Sequence, residues 1–460
     1  MTRPEPVAGS FRDPSGFLFC RDGTLYRQIN STYKDSFELL MASGLYEELV
    51  EKKLLIPHEE ASLELALDGD ACKVIRPEPV PFVSYPYEWC FSQLKDAALT
   101  TLKIQWLALA RGLVLKDASA YNIQFSEGRP VFIDTLSFEK YEAGRPWAAY
   151  RQFCQHFLAP LALRAYADER LSALLKTYLD GLPLDLASRL LPVRTRLKPA
   201  LLIHLHLQAK AESKAGDSGS GQRQNRVSKQ GMLGIVDNLR AGVAKLTWKP
   251  EGTLWGNYYD ETNYSRLAFD SKRDLVTELL KQAAPEFVWD LGANTGEFSR
   301  IAAGMARQTL ALDSDPAAVE RHYLRCRTEN ETSILPLISD ATNPSPGLGW
   351  DNAERDSLAD RGRPDTLLAL ALVHHLAIGN NLPLDRIAAS FATHCRNLIV
   401  EFVPKSDSQI ERMLSTREDI FPDYSPRGFE AAFAERFETV RSEKIRDSDR
   451  TLYLMTRRAN

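Results

Sequence analysis

Ten residues constrain this 460-residue chain more than any others: Phe287-Val-Trp-Asp-Leu-Gly-Ala-Asn-Thr-Gly296. A short apolar run that ends in an acid and passes into two glycines three residues apart reads as a buried parallel strand turning tightly into a helix. Gly292 and Gly296 place no Cβ between backbone and ligand, so the chain can approach a nucleotide closely and the next helix can start beneath it. Asp290, at the carboxyl end of the strand, is set to accept hydrogen bonds from a cationic or amino-bearing group. The order is Asp290-x-Gly292-x-Asn294-x-Gly296, which is not the three-glycine dinucleotide fingerprint.

That order resembles motif I of the class I S-adenosylmethionine-dependent methyltransferases, with Asn294 where many members have glycine; Asn tolerates positive φ better than most residues. Downstream, Thr309–Leu312 reads as a second strand ending at Asp313, and a carboxylate there suits a ribose diol, with Asp315 as the alternative. Leu335–Ile338 ends at Ser339-Asp340-Ala341, where the resemblance implies an acid, Asp340, beside the adenine amino group. Asp365–Leu372 and Arg396–Val403 are further apolar strands, and Phe437–Ile445 with Arg450–Thr456 reads as a closing antiparallel hairpin. The fold class expected is α/β: a C-terminal Rossmann-like seven-stranded methyltransferase sheet, preceded by an α+β kinase-like domain.

The domain limits expected are 1–210, a flexible linker at 211–232, and 233–460. Ala211–Gln230 is rich in Ser, Gly, Gln, Lys and Arg without an aromatic residue, so it cannot bury enough apolar surface to offset the entropy of ordering. After it, Ile235, Leu239, Val243 and Leu246 share one helical face, read as a helix leaning on the second domain. A net charge of −4 gives no general attraction to nucleic acid or an anionic membrane. Six scattered cysteines form no C-x-x-C pair, no metal site is expected, and neither a signal peptide nor a membrane span is apparent, so a cytoplasmic location is expected.

The first domain carries its own pattern in Gly112–Glu139. Asp117 and Asn122 are spaced as in the kinase catalytic loop, and Asp134 ends a strand where a second metal ligand would belong. This stretch resembles protein-kinase-like and aminoglycoside-phosphotransferase-like folds. The resemblance implies an inter-lobe hinge at Phe82–Trp89 and an αC helix at Tyr33–Lys53 with Glu38, Glu47 or Glu48 facing a cleft. Departures are evident. Leu115-Lys116 replaces the residues that flank the catalytic acid, Asp134-Thr135-Leu136 replaces Asp-Phe-Gly, and no glycine-rich loop precedes the helix. What stands there is a hairpin turned by Asp22-Gly23, with Arg27 where a kinase has its phosphate-binding lysine. A trimmed N-lobe is expected, serving as a scaffold or pseudokinase; ATP and Mg binding stay open because Asp117, Asn122 and Asp134 are present.

Methyl transfer is an in-line displacement, so the site must align nucleophile and methyl and take up a proton. The fourth strand delivers His374 and His375 to the sheet edge, either of which can act as general base. Glu401, ending the fifth strand, is a second polar group directed at the pocket. Tyr258, Tyr259, Tyr264, Arg266 and Lys272 fall in a segment from Trp255 that, in related enzymes, covers the methionine end of the cofactor. His204 and His206 alternate as strand residues would, and without a third ligand nearby they read as structural. The end of the chain resembles methyltransferases of nodulation or surface-glycan modification, which implies a glycan or small-molecule hydroxyl acceptor. Three readings follow: a methyltransferase with a kinase-like scaffold; a bifunctional kinase/methyltransferase acting on a surface polysaccharide or glycolipid; and a non-catalytic nucleotide sensor.

Overall fold

The computed structural model describes residues 5–211, 226–250, 265–415 and 417–459. The chain divides into two compact units, Met1–Lys249 with Gly347–Asp356, and Pro250–Pro346 with Ser357–Asn460.

In the first unit, five antiparallel strands, β1 (Glu5–Pro6), β2 (Gly16–Arg21), β3 (Thr24–Asn30), β4 (His58–Ala61) and β5 (Ala71–Pro77), pair in the order β1-β2-β3-β5-β4. The β2–β3 turn has φ 49° at Asp22 and 76° at Gly23, the two positive values that a tight hairpin of this twist demands. The helical stretch expected as one αC element is two helices, α1 (Lys34–Ala42) and α2 (Leu45–Glu51), broken at Gly44 with φ 70°. The buried helix α3 (Phe91–Ala110) follows, then two short hairpin-like pairs, β6 (Leu113–Leu115) with β9 (Phe138–Lys140) and β7 (Ile123–Ser126) with β8 (Arg129–Phe132).

The expected boundary at 211–232 is displaced. Residues 212–225 lie outside the described residues, but from Lys229 to Ala244 the chain is helical, N-capped by Ser228, whose hydroxyl accepts the Gly231 amide at 3.1 Å. Met232, Val236, Leu239 and Val243 are buried, and the helix packs on α3 in the first unit, not on the second as its apolar face suggested. Lys95 of α3 secures its end by donating to the carbonyls of Ala244 and Leu246, each at 2.8 Å. An apolar stripe says that a partner exists but not which one.

His204 and His206 lie on a π-helix, Leu202–Leu207, not on a strand. His204 bonds the Tyr150 hydroxyl and Asn238; His206 bonds Ser188 and Thr195. Among the described residues no cluster of candidate ligands could hold a metal ion.

The second unit is built on a seven-stranded sheet of order β12-β11-β10-β13-β14-β16-β15. Its strands are β10 (Phe287–Leu291), β11 (Gln308–Asp313), β12 (Ile334–Ile338), β13 (Thr366–Ala369), β14 (Asn397–Phe402), β15 (Phe437–Lys444) and β16 (Thr451–Arg457). β10 to β14 run parallel, and β16 enters antiparallel between β14 and β15. Central residues such as Val288, Leu310, Leu368 and Ile399 are fully buried, as expected for strands covered on both faces. The strand order reverses between β10 and β13, and open α/β sheets bind ligands at the carboxyl edge of such a switch point.

Candidate active site

At that switch point β10 runs into the glycine turn. Gly292, Asn294 and Gly296 all have positive φ, 72°, 49° and 83°. Asn294 therefore holds the left-handed conformation that its position requires. The turn is tied to the neighbouring strand: the amides of Gly292 and Ala293 donate to Leu312 O at 2.8 and 3.1 Å, and the Asn294 amide donates to Asp313 Oδ2 at 2.8 Å. The two glycines have different reasons. A Cβ on Gly292 would make ordinary contact with Leu372, whereas one on Gly296 would fall 2.0 Å from His322 Nε2. Gly296 is thus required by helix packing, because the buried imidazole of helix Pro316–Glu329 lies against the start of helix Glu297–Ala303.

A cavity opens over this turn, lined by the ends of β10, β11 and β13, the segment after β12, and helix Arg266–Ala283. Of the residues singled out from sequence, Lys272, Asp290, Gly292, Asn294, Asp313, Asp340 and His375 line it; His374, Glu401 and Gly296 do not. Asp290 accepts from Ser299 Oγ at 2.6 Å, and burial pushes its carboxyl up to about 6. Burial likewise raises Asp313 to about 6, although amides at 294 and 315 donate to it. Asp315, the alternative ribose ligand, accepts the Ala317 amide as N-cap of the next helix. Asp340 is exposed and accepts from the amide and hydroxyl of Thr342.

Beyond β13 the chain makes one strained step, Ala371 with φ 51°, before His374 and His375. Their rings lie 4.0 Å apart. Burial, then the charge of Arg450, lowers His375 to about 4; His374 is depressed well below its ordinary value by burial, then by His375. Both imidazoles are therefore neutral at pH 7.

Glu401 was expected at the pocket. It is instead fully buried, with Lys272 Nζ at 2.6 Å and Arg450 Nη1 at 3.5 Å, and Arg450 also reaches Asp407 at 2.7 Å. It is Lys272 that reaches the cavity, with Nζ 4.7 Å from the centre of the Phe298 ring. Burial lowers its pKa and Glu401 opposes that shift. Neither the Lys272–Glu401 pairing nor Arg450 was identified from sequence, although Lys272 stands four residues from both Ala268 and Val276, on the face its helix buries, which is a signal of it. Arg266 begins the same helix, while Trp255, Tyr258, Tyr259 and Tyr264 lie outside the described residues.

In the first unit Arg27, Asp117, Asn122 and Asp134 do converge. Arg27 Nη1 lies 2.6 Å from Asp134 Oδ1. Asp134 also accepts the Leu136 amide at 3.1 Å and the Ser137 hydroxyl, to which Asn122 Nδ2 donates at 3.3 Å. Asp117 is raised by burial, then countered by its bond from the Ser119 amide at 2.8 Å. Of the expected helix acids, Glu38 faces Lys34 and Glu48 faces Arg111 and Lys52; none of the three pairs with Arg27. A guanidinium thus already pairs with the carboxylate that would hold a metal.

The strand order, the acid-to-glycine turn at its switch point and the antiparallel closing hairpin define the second unit as a Rossmann-like sheet of the S-adenosylmethionine-dependent methyltransferase type. No protein-family model matches the chain. It is 36% identical over 467 aligned residues to the nodulation protein NoeA of Rhizobium meliloti (strain 1021), covering 99% of this chain and 97% of that protein, and it belongs to the NoeA family. Among solved structures it resembles the N-methyltransferase NodS from Bradyrhizobium japonicum WM9, at 13% identity and TM-score 0.31 over 42% of this chain and 99% of that one. It also resembles the magnesium protoporphyrin IX methyltransferase of Synechocystis PCC 6803, at 16% and 0.32 over 44% and 93%. At these scores neither adds to what the strand order defines.

Proposed function

We propose that the second unit is an S-adenosylmethionine-dependent methyltransferase acting on the hydroxyl of a glycan or small molecule, and that the first unit is a kinase-like scaffold without phosphotransfer. The observation that carries the reading is the pair of buried carboxyls, Asp290 and Asp313, at the ends of adjacent strands on either side of a positive-φ turn, with Lys272 and His375 lining the same cavity. When bound, S-adenosylmethionine would supply an electrophilic methyl group.

The chain's own residues supply the rest. Asp313 would accept the ribose hydroxyls, Asp340 the adenine amino group, and Asp290 the cofactor's ammonium. Lys272 would hold its carboxylate, with Glu401 keeping the lysine charged despite burial. His375, neutral at pH 7, would take the proton from the acceptor hydroxyl as the oxygen attacks. Its low basicity makes it a modest base, suited to a proton that leaves late.

The bifunctional reading is the less favoured, because Arg27 already occupies Asp134. The test is transfer of labelled methyl from S-adenosylmethionine to a panel of oligosaccharides and small alcohols. Incorporation that His375→Ala abolishes supports the reading. Cofactor binding without transfer to any hydroxyl would refute it.

A further inference from the structure

One corner of the first unit departs from the chain's acidic balance. From residue 186 to 211 there are five cations, Arg189, Arg194, Arg196, Lys198 and Lys210, and no acid. The same stretch holds five exposed large hydrophobic side chains: Leu190, Val193, Leu197, Ile203 and Leu207. Val193 and Leu197 are 73% and 85% exposed.

These residues are presented on a fixed frame. Helix Leu184–Leu190, the 3-10 helix Val193–Leu197 and the π-helix Leu202–Leu207 pack on one another. The buried His206 bonds Ser188 Oγ at 2.8 Å and Thr195 Oγ1 at 2.9 Å, joining all three. Thr195, fully buried, fixes the inner side of the 3-10 helix, so Val193 and Leu197 project outward. On the π-helix His204, Leu205 and His206 turn inward, leaving Ile203 and Leu207 outside. Asp185, Arg189, Arg196, Leu207 and Lys210 line a groove beside them. Arg189 pairs with Asp185, but among the described residues no ion pair involves Arg194 or Arg196.

We propose that this corner is a docking surface for an anionic lipid bilayer, with Val193 and Leu197 entering the headgroup boundary and the surrounding cations meeting lipid phosphates. Exposed apolar side chains held on an ordered frame mark interaction sites, and interleaved cations in excess of the one neighbouring acid, Asp185, select an anionic partner. Apolar insertion plus a basic ring is the combination that interfacial binding requires, since neither alone is strong. The inference is independent of the methyl-transfer reading. A total of −4 averages over the whole chain and is compatible with a local excess of cations.

The experiment is flotation of the full-length protein with vesicles of pure phosphatidylcholine and of phosphatidylcholine mixed with phosphatidylglycerol, whose negative surface attracts basic segments. The expected result is binding to the anionic vesicles only, weakened by salt. Val193→Ser/Leu197→Ser and Arg194→Glu/Arg196→Glu should each reduce it about tenfold or more, as loss of two insertion or two charge contacts implies. All four positions are exposed, so both variants should retain the wild-type melting temperature. Absence of binding to anionic vesicles, equal binding to neutral ones, retention by both variants, or binding only to a polyanion such as heparin would overturn the proposal.

Discussion

Lys272 and Glu401 form an ion pair of 2.6 Å with side chains 4% and 0% exposed, joining the helix that precedes the glycine turn to the fifth strand of the sheet. Taking one partner away leaves a buried charge uncompensated. Glu401→Ala should destabilise the protein by about 3–5 kcal/mol, whereas Lys272→Met/Glu401→Leu should recover most of that loss. Urea unfolding measures both. The double variant should still lose affinity for S-adenosylmethionine, because only Lys272 faces the cavity.

Gly296→Ala meets two obstacles, a φ of 83° and the His322 ring 2.0 Å from the new Cβ. The backbone part alone costs about 1–3 kcal/mol. His322→Ala in the same chain should restore a measurable part of the lost stability, since it removes the clash but not the strain. If the double variant is no better than the single one, packing against His322 is not why position 296 is glycine.

Asp290 and Asp313 each titrate at about 6, raised by burial. A raised carboxyl binds its proton more tightly in the folded state. Its contribution to stability is therefore fully present below the ordinary value near 3.8 and is lost as pH rises through about 6. Cofactor binding runs the other way, because only the ionised carboxylates accept hydrogen bonds from ribose and ammonium. Affinity for S-adenosylmethionine should fall as pH drops through 6, with proton release on binding near that pH. Calorimetry in two buffers of different ionisation enthalpy measures it.

His375 titrates at about 4, and burial holds His374 well below the ordinary imidazole value. Methyl transfer should consequently lose no activity to histidine protonation between pH 8 and about 5. His375→Ala should lower kcat by about 10²–10⁴ with little change in cofactor affinity, and His374→Ala should act mainly on stability.

The Arg27–Asp134 pair predicts silence in the first unit. Millimolar magnesium and ATP should leave the melting temperature unchanged. A rise that Asp134→Asn removes would restore the bifunctional reading.

Much of the second unit was legible because its parallel strands are short apolar runs, three of which lead into an acid at the ligand-binding edge: Asp290, Asp313 and Asp340. What failed were relations over distance. Glu401 read as a pocket residue because its partners, Lys272 and Arg450, come from a helix 129 residues earlier and from the closing hairpin. Gly296 read as ligand clearance because nothing local names His322. His204 and His206 suggested a period of two, yet a π-helix turns every second side chain differently, and the tertiary bonds to Ser188, Thr195 and Asn238 decided their place. The apolar stripe after residue 230 was read correctly as a helix face and assigned to the wrong neighbour, since periodicity carries no address.

The central claim is that the cavity over Gly292 holds S-adenosylmethionine. Its most direct test is calorimetric titration of the full-length protein beside Asp313→Asn, a substitution that keeps the side chain's shape and removes its charge. One-to-one binding by the wild type, weakened about tenfold or more in the variant as loss of a charged hydrogen-bond acceptor implies, is the result predicted. Failure of the folded wild-type protein to bind, or binding indifferent to Asp313→Asn, would contradict it.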